Sequence, residues 1–176
     1  MTRFTKTILS SLVILGLLGT SVTAQETADG TSGAEVIAPL QIMKMQDLDF
    51  GTIAPSLTTP GTVQVLREPI NTSVCGAELT CLAPGNRAVF NLLGEPDRFV
   101  NLSNPGSITV SDGNGNTMLV DNFAGAGSVS NTVWGGNVKL SASGDEGFFV
   151  VATLHVGASQ PVGTYVGSFT VTASYE

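Results

Sequence analysis

The last fourteen residues of the chain, residues 163–176 (GTYVGSFTVTASYE), carry the clearest structural signal in the sequence. Taken with a period of two, they place mostly large apolar side chains on one face: Tyr165, Phe169, Val171, Ala173 and Tyr175. The opposite face is mostly small and hydroxylated: Val166, Ser168, Thr170, Thr172 and Ser174. This alternation predicts a half-buried β-strand tied into a sheet up to the chain end. A sheet completed by a chain end is also a place where β-proteins join by strand addition.

Further strand candidates follow one another upstream, at residues 62–66, 87–93, 98–102, 107–110, 118–123, 132–142 and 147–156. An earlier alternating pattern consists of Val36, Ala38, Leu40 and Ile42. Segment 147–156 (GFFVVATLHV) is apolar on both faces in its first half, as in a central strand covered on both sides. Roughly eight or nine short strands with turn signals predict one antiparallel β-sandwich, and a β-barrel is the alternative.

The first 24 residues have the features of a secretory signal peptide. Arg3 and Lys6 precede the apolar residues 8–19, a run too short to span a bilayer comfortably. Residues 22–24 (VTA) suit cleavage before Gln25, and an uncleaved anchor is the less favoured alternative. We expect a secreted product that passes through the periplasm to the cell surface or the medium, without membrane insertion after cleavage.

The mature chain of 152 residues is long enough for one domain. Residues 25–33 (QETADGTSG) are polar and typical of a flexible leader, so the predicted domain spans residues 34–176. Five Lys and Arg stand against fourteen Asp and Glu, a net charge near −9. The cations are scattered along the chain: Lys44, Arg67, Arg87, Arg98 and Lys139. Because they form no basic patch, nucleic acid and anionic membranes are not expected partners.

The two cysteines, Cys75 and Cys81, are separated by five residues (GAELT). In an oxidising compartment this pair predicts a disulfide that closes a small loop. A redox or metal-binding pair is the alternative. Two thiolates leave a tetrahedral zinc site incomplete and the single histidine is remote in sequence, so the structural disulfide is favoured and no cofactor is expected.

Segment 112–116 (DGNGN) offers oxygen donors at alternate positions, like the start of an EF-hand calcium loop. The places where that loop requires Gly and a bidentate Glu are occupied by Thr117 and Phe123. We therefore interpret the segment as the tip of a β-hairpin rather than as a metal site.

Three other features favour ordinary structural roles over chemistry. His155 is the only histidine, and because no GxSxG motif supplies a nucleophile for it, we expect its ring to face solvent. Asp47 and Asp49 flank Leu48, so we interpret them as residues on the solvent-facing side of a strand rather than as an acid–base pair. Trp134 is expected in the core or at a sheet edge rather than as a ligand anchor. The sequence thus predicts a protein that is not an enzyme.

Two parts of the chain resemble a known family of secreted bacterial domains. They are the opening VIAPLQIMKMQDLDFGTI (residues 36–53) with the following GTVQV (residues 61–65), and the ending QPVGTYVGSFTVTASY (residues 160–175). Together they resemble the family described as domain of unknown function 4402, which is distantly similar to spore coat U and pilin-like proteins. The resemblance covers residues 35–176 and implies an immunoglobulin-like or pilin-like sandwich.

The ending also resembles the terminal strand of chaperone–usher pilins. Those strands have a glycine fourteenth from the end and an aromatic residue at the penultimate place, here Gly163 and Tyr175. The likeness implies a sandwich that lacks one strand, whose gap is filled first by a periplasmic chaperone and then by the N-terminal extension of the next subunit. It places these residues in the groove beside the donated strand: Gly163, Tyr165, Phe169, Val171 and Tyr175.

Residues 25–33 contain no alternating apolar pattern that could serve as the donor strand. The remaining candidate is residues 34–43, with Val36, Ala38, Leu40 and Ile42 as the groove-filling side chains. If this segment is donated, the protein is a pilin-like structural or adhesive subunit whose partners are related subunits, a chaperone and an outer-membrane usher. If it folds back and completes its own sandwich, the protein is a secreted module that binds a glycan or a surface protein.

Overall fold

The computed structural model describes residues 26–70, 72–127 and 137–176. These residues form strands β1 (Gln41–Gln46), β2 (Thr52–Ala54), β3 (Gly61–Val65), β4 (Ser73–Cys75), β5 (Thr80–Ala83), β6 (Ala88–Leu93), β7 (Phe99–Leu102), β8 (Ile108–Ser111), β9 (Thr117–Gly127), β10 (Asn137–Lys139), β11 (Asp145–Val156) and β12 (Ala173–Tyr175). Every strand pair is antiparallel. The described ranges hold no helix able to cross a membrane. The prediction of an all-β, antiparallel sandwich is confirmed.

The chain divides into two compact units. Residues 26–35, the described part of the first unit, are exposed and contain no regular secondary structure. The second unit, Val36–Glu176, contains all the strands named above. The predicted signal peptide and Trp134 lie outside the described residues, and the domain boundaries drawn from the sequence stay predictions.

Strand β11 is the centre of a seven-stranded sheet. It pairs with β9 along one edge, and with β6 and then β3 along the other. Strands β1, β4 and β8 extend the sheet beyond β6, β3 and β9. The inward side chains of β11 are buried: Phe148, Val150, Ala152, Leu154 and Val156. Phe149 and Thr153 on the outward face are buried as well, so the prediction of a central strand covered on both sides is confirmed.

A three-stranded sheet in the order β10–β7–β12 packs against the inner face of the large sheet. Val100 of β7 and Val138 of β10 belong to the same buried cluster as Leu92 of β6 and Phe148 of β11. Strands β2 and β5 form a separate pair. Burial of these apolar faces against each other is the main source of the sandwich's stability.

The disulfide Cys75–Cys81 is confirmed, with its Cα atoms 5.9 Å apart. It joins β4 of the large sheet to β5 of the two-stranded pair. Leu79 within the closed loop is buried, and its side chain lies against Gly61, where a β-carbon would come within 2.6 Å of it. The sequence did not predict β2, β4 and β5, because strands of three or four residues are too short to display an alternation.

The prediction that residues 163–176 form one continuous strand is wrong. The segment makes a single bridge at Val166 with Ser111 of β8 and becomes a regular strand only at β12. The physical reason is a change of partner, since the chain pairs first with the large sheet and then with β7 of the small one. The predicted alternation itself is confirmed: the inward residues are half-buried and those between them are exposed.

Candidate strand-exchange site

The inward face of the terminal segment packs on the core. The ring of Phe169 lies 5.2 Å from the ring of Phe123 and 6.2 Å from that of Phe90, centroid to centroid. All five predicted inward side chains contact the core cluster while staying partly exposed: Tyr165, Phe169, Val171, Ala173 and Tyr175. The segment is therefore anchored by apolar contacts that leave part of each side chain uncovered.

The backbone of the segment forms hydrogen bonds from its even-numbered residues. Val166 exchanges two bonds of 2.9 Å with Ser111, and the Thr172 carbonyl accepts a 3.0 Å bond from the Ser103 amide. The Glu176 amide donates to the Phe99 carbonyl over 3.2 Å. The bonds of Thr172 and Glu176 lie along the side of β12 that faces β7, whereas those of Val166 face β8.

The odd-numbered residues from Tyr165 to Tyr175 form no backbone hydrogen bonds in the described ranges. In the described ranges, no hydrogen bond involves residues 167–171. The register of β12 with β7 makes Ala173 and Tyr175 the non-hydrogen-bonded partners of Leu102 and Val100. We call this row of backbone groups, which have no hydrogen-bond partner among the described residues, the open edge; it consists of the N–H and C=O groups of Tyr165, Gly167, Phe169, Val171, Ala173 and Tyr175.

Two glycines fix the start of the segment. A β-carbon on Gly167 would lie 2.8 Å from the Thr109 carbonyl oxygen and 2.9 Å from Cγ1 of Val110, so only glycine fits against β8 there. Gly163, predicted from the resemblance to line the groove, lies beside the β8–β9 hairpin, where a β-carbon would meet Cβ of Asp112 at 3.3 Å. The sequence alone gave no indication that β8 lies close to Gly167.

Tyr175 connects the two ends of the domain through its hydroxyl. The hydroxyl donates a 2.8 Å hydrogen bond to the Ala38 carbonyl and accepts a 2.6 Å bond from the Glu95 amide. The Glu95 carboxylate in turn accepts a 2.9 Å bond from the Ala38 amide. A β-carbon on Gly94 would lie 2.2 Å from the Tyr175 oxygen, so this glycine provides the space for the hydroxyl. The sequence pattern gave no indication of this network, because it joins residues far apart in the chain.

The candidate donor residues lie on the same domain but not along the open edge. Strand β1 pairs with β6, with Ile42 opposite Leu92, whereas the segment before it forms no strand because β6 ends at Leu93 and Pro39 has no amide hydrogen. Val36 is 95% exposed, Leu40 packs against the core, and Ala38 reaches only the hydroxyl of Tyr175 and Glu95. The predicted alternation of these four side chains is therefore not matched by their burial.

The loop at residues 112–116 is a hairpin tip between β8 and β9, as interpreted from the sequence. The Asp112 carboxylate accepts hydrogen bonds from the amides of Asn114 and Asn116 and from the side chain of Asn116. The side-chain bond from Asn116 is the main reason that the pKa of Asp112 lies below its ordinary value of 3.8. The carboxylate therefore closes the turn, with Gly113 and Gly115 in left-handed backbone conformations.

His155 and the pair Asp47/Asp49 do not form a joint site. Nε2 of His155 lies 2.8 Å from Oδ1 of Asp121 across β11 and β9, a contact that the expectation of a solvent-facing ring did not include. Asp47 pairs with Lys44, whereas Asp49 exchanges backbone bonds with Asn86. No group of three or more His, Cys, Asp or Glu in the described ranges is placed to hold a metal ion.

A shallow groove of about 410 Å³ lies beside His155, where β3 and β9 flank the end of β11. Its polar lining includes Thr62, Thr117 and Gln160. Gln160 already bonds the Thr117 carbonyl and the Tyr165 hydroxyl, so it serves the structure of the loop. The described part of the chain thus offers the open edge as its most distinctive surface.

A family model with the description "Domain of unknown function (DUF4402)" matches residues 40–175. The matched region begins at Leu40, includes every strand described above and ends at Tyr175. No curated protein and no solved structure matches the chain.

Proposed function

This chain belongs to the family described as domain of unknown function 4402, and we propose that it is a secreted, non-enzymatic structural or adhesive subunit that assembles at the bacterial cell surface by β-strand exchange. The observation that carries the proposal is the open edge. An unpaired row of backbone groups beside half-buried apolar side chains is the arrangement to which an added strand binds, through main-chain bonds and side-chain pockets together.

Residues 34–43 are the proposed donor. All six residues of β1 are exposed, so this strand is held mainly by its pairing with β6. Donation would replace the core contacts of Leu40 and the partial burial of Ile42 with equivalent contacts in the groove of a neighbouring subunit. On a neighbouring subunit, the side chains of Val36, Ala38, Leu40 and Ile42 would cover the inward row that includes Phe169 and Val171. The proposed helpers during export are a periplasmic chaperone and an outer-membrane usher.

The first test uses denaturing gels of the mature protein, recovered from its own secretion route, with and without boiling. Strand-exchanged polymers unfold slowly and survive detergent until heated. We expect a ladder that disappears on boiling. A single band of monomer size under both conditions, across a range of protein concentrations, contradicts assembly by exchange.

A second test identifies the donor. Met43 and Asn91 are register partners across β1 and β6, so cysteines at both positions hold β1 on its own domain once oxidised. We expect the oxidised M43C/N91C protein to form no ladder and the reduced protein to form one, with wild type under the same two conditions as the control. Deletion of residues 34–43 is expected to abolish polymers as well. A ladder from the locked protein would exclude this segment as the donor.

The alternative is a self-complete secreted module that binds a glycan or a surface protein. It is favoured by the pairing of β1 with β6 of the same chain and by the bonds between Tyr175, Glu95 and Ala38, which together hold the N-terminal segment on its own domain. It predicts a monomer that refolds without helper proteins. The groove beside His155 and the loop closed by Cys75 and Cys81 are then the first surfaces to test for ligand binding.

A further inference from the structure

The terminal segment is chemically symmetric about Thr170. In the sequence YVGSFTVTASY, residues 165–175, positions at equal distances from Thr170 carry similar side chains. The matched pairs are Tyr165 with Tyr175, Val166 with Ser174, Gly167 with Ala173, Ser168 with Thr172, and Phe169 with Val171. Only the pair of Val166 with Ser174 joins an apolar to a polar residue.

This symmetry matters because the segment has an open edge, along which a second copy of the same segment could pair. Two copies related by a two-fold axis perpendicular to the sheet would pair antiparallel, with each residue opposite its symmetric counterpart. The axis keeps the faces of the two strands on the same side. The inward residues of one copy would therefore meet the inward residues of the other, and the hydroxylated residues would meet hydroxylated ones.

We propose that the open edge is an interface with a second copy of this chain, in which two terminal segments pair antiparallel about Thr170. Residues 167–171, whose backbone groups have no partner in the part of the chain that the structure describes, form the centre of the pairing. The odd-numbered residues direct their bonds toward the partner, and the even-numbered ones face each other as non-hydrogen-bonded pairs. Pairing of Phe169 with Val171 of the partner subunit covers side chains that are only half-buried in the single chain.

The exposed face supports the same register. Residues 168, 170 and 172 are exposed and uncharged, so nothing on this face repels a second copy. Thr–Thr and Ser–Thr pairs directly opposite each other are favourable in antiparallel sheets. In this register β12 of each copy lies opposite residues 165–167 of the other, which lie beside β8, so the small sheet of one copy would continue into the large sheet of its partner.

The dimer does not depend on strand exchange. A donated strand and a second terminal segment would use the same edge, so the symmetric dimer is a form that subunits adopt when no donor strand is bound. A chain that dimerises through Thr170 but gives no heat-sensitive ladder would contradict the proposed function and leave this inference standing. The reverse case is tested in the oxidised M43C/N91C protein, which cannot donate its own strand: if that protein forms no Thr170-centred dimers while wild type forms the ladder, this inference fails and the proposed function stands.

Single cysteines test the register. In a non-hydrogen-bonded pair the Cα atoms are about 4.5 Å apart, within disulfide range, so T170C chains are expected to link into covalent dimers. The control is S168C alone, since its sulfur would be separated from its symmetry mate by four residues of strand, roughly 13 Å. An equal mixture of S168C and T172C is expected to link as a heterodimer. The native cysteines do not interfere, because both are in the disulfide. Linking of T170C no faster than of S168C overturns the register.

A charged side chain at position 170, on the proposed two-fold axis, tests whether the dimer forms without a covalent link. Lysines at position 170 lie opposite each other in the dimer, so T170K is expected to weaken dimerisation by up to about fivefold in sedimentation experiments. S168K, equally exposed but opposite Thr172, is the matched control and is expected to dimerise almost like wild type. A mixture of T170K with T170E is expected to form heterodimers more tightly than either variant alone forms homodimers. Wild type that sediments as a monomer up to millimolar concentration, or equal effects of T170K and S168K, overturns the proposal.

Discussion

The hydroxyl of Tyr175 donates a hydrogen bond to the carbonyl oxygen of Ala38, 137 positions earlier in the chain. The penultimate residue therefore fixes the segment that leads into β1. The same hydroxyl accepts a bond from the Glu95 amide, so one side-chain atom satisfies backbone groups from two separate parts of the fold.

Loss of this hydroxyl should destabilise the domain. We expect Tyr175→Phe to lower the free energy of unfolding by about 1–2 kcal/mol, because the partly buried Glu95 amide loses its acceptor. Tyr165→Phe is the matched control: its hydroxyl donates to the Pro161 carbonyl in an exposed position and accepts from Gln160, whose side chain keeps its bond to the Thr117 carbonyl, so the loss should be smaller, below about 1 kcal/mol. Urea unfolding of both variants measures the difference, and equal losses would show that the Ala38–Glu95 network adds nothing.

Gly94 should be intolerant of a side chain because of Tyr175. A β-carbon there would lie 2.2 Å from the Tyr175 oxygen, so Gly94→Ala is expected to destabilise the domain by about 1–3 kcal/mol. In the Tyr175→Phe background this loss should be smaller, since the closest contact is gone. A double-mutant cycle measures the coupling, and strictly additive effects would contradict this account.

Phe169 should be a principal anchor of the terminal segment. We expect Phe169→Ala to lower the free energy of unfolding by about 2–3 kcal/mol, because its ring packs against Phe90 and Phe123 while staying partly exposed. Phe99→Ala is the control: this ring is 46% exposed, and its loss should be at least about 1 kcal/mol smaller. Similar values in chemical denaturation would mean that the segment is held by its backbone bonds instead.

The disulfide should stabilise the domain by constraining its unfolded state. The variant C75S/C81S is expected to unfold about 2–3 kcal/mol more easily than oxidised wild type. Reduced wild type should unfold like the variant, and the variant should not respond to the reductant. A variant as stable as oxidised wild type would contradict a stabilising role.

Asp112 should make the β8–β9 hairpin sensitive to acid. Its pKa is lowered in the folded protein, chiefly by the side-chain bond from Asn116, so its stabilising contribution is complete above the unfolded-state value of 3.8. The contribution is lost as the pH falls below that value and through the folded-state pKa. We expect NMR titration to place the Asp112 midpoint below 3.8, and Asn116→Ala to raise it. An unchanged midpoint in that variant would remove Asn116 as the cause.

How far the sequence leads is clearest in the terminal segment. The alternation in residues 165–175 predicted which side chains face the core, and their burial follows it. It gave no sign that the segment exchanges β8 for β7 partway along, because a period of two records the face of a side chain and not the identity of the neighbouring strand. For the same reason the sequence suggested strand addition at this chain end but did not show which backbone groups are without partners.

The sequence by itself determined the all-β class, the central position of β11 and the pairing of the two cysteines, since each depends on short-range pattern or on there being only two thiols. Tertiary structure alone decided that β1 pairs with β6, that Tyr175 reaches Ala38, and that Asp121 lies beside His155. Those contacts join residues far apart in the chain. Local periodicity carries no information about such pairs, which are fixed by how the two sheets pack together.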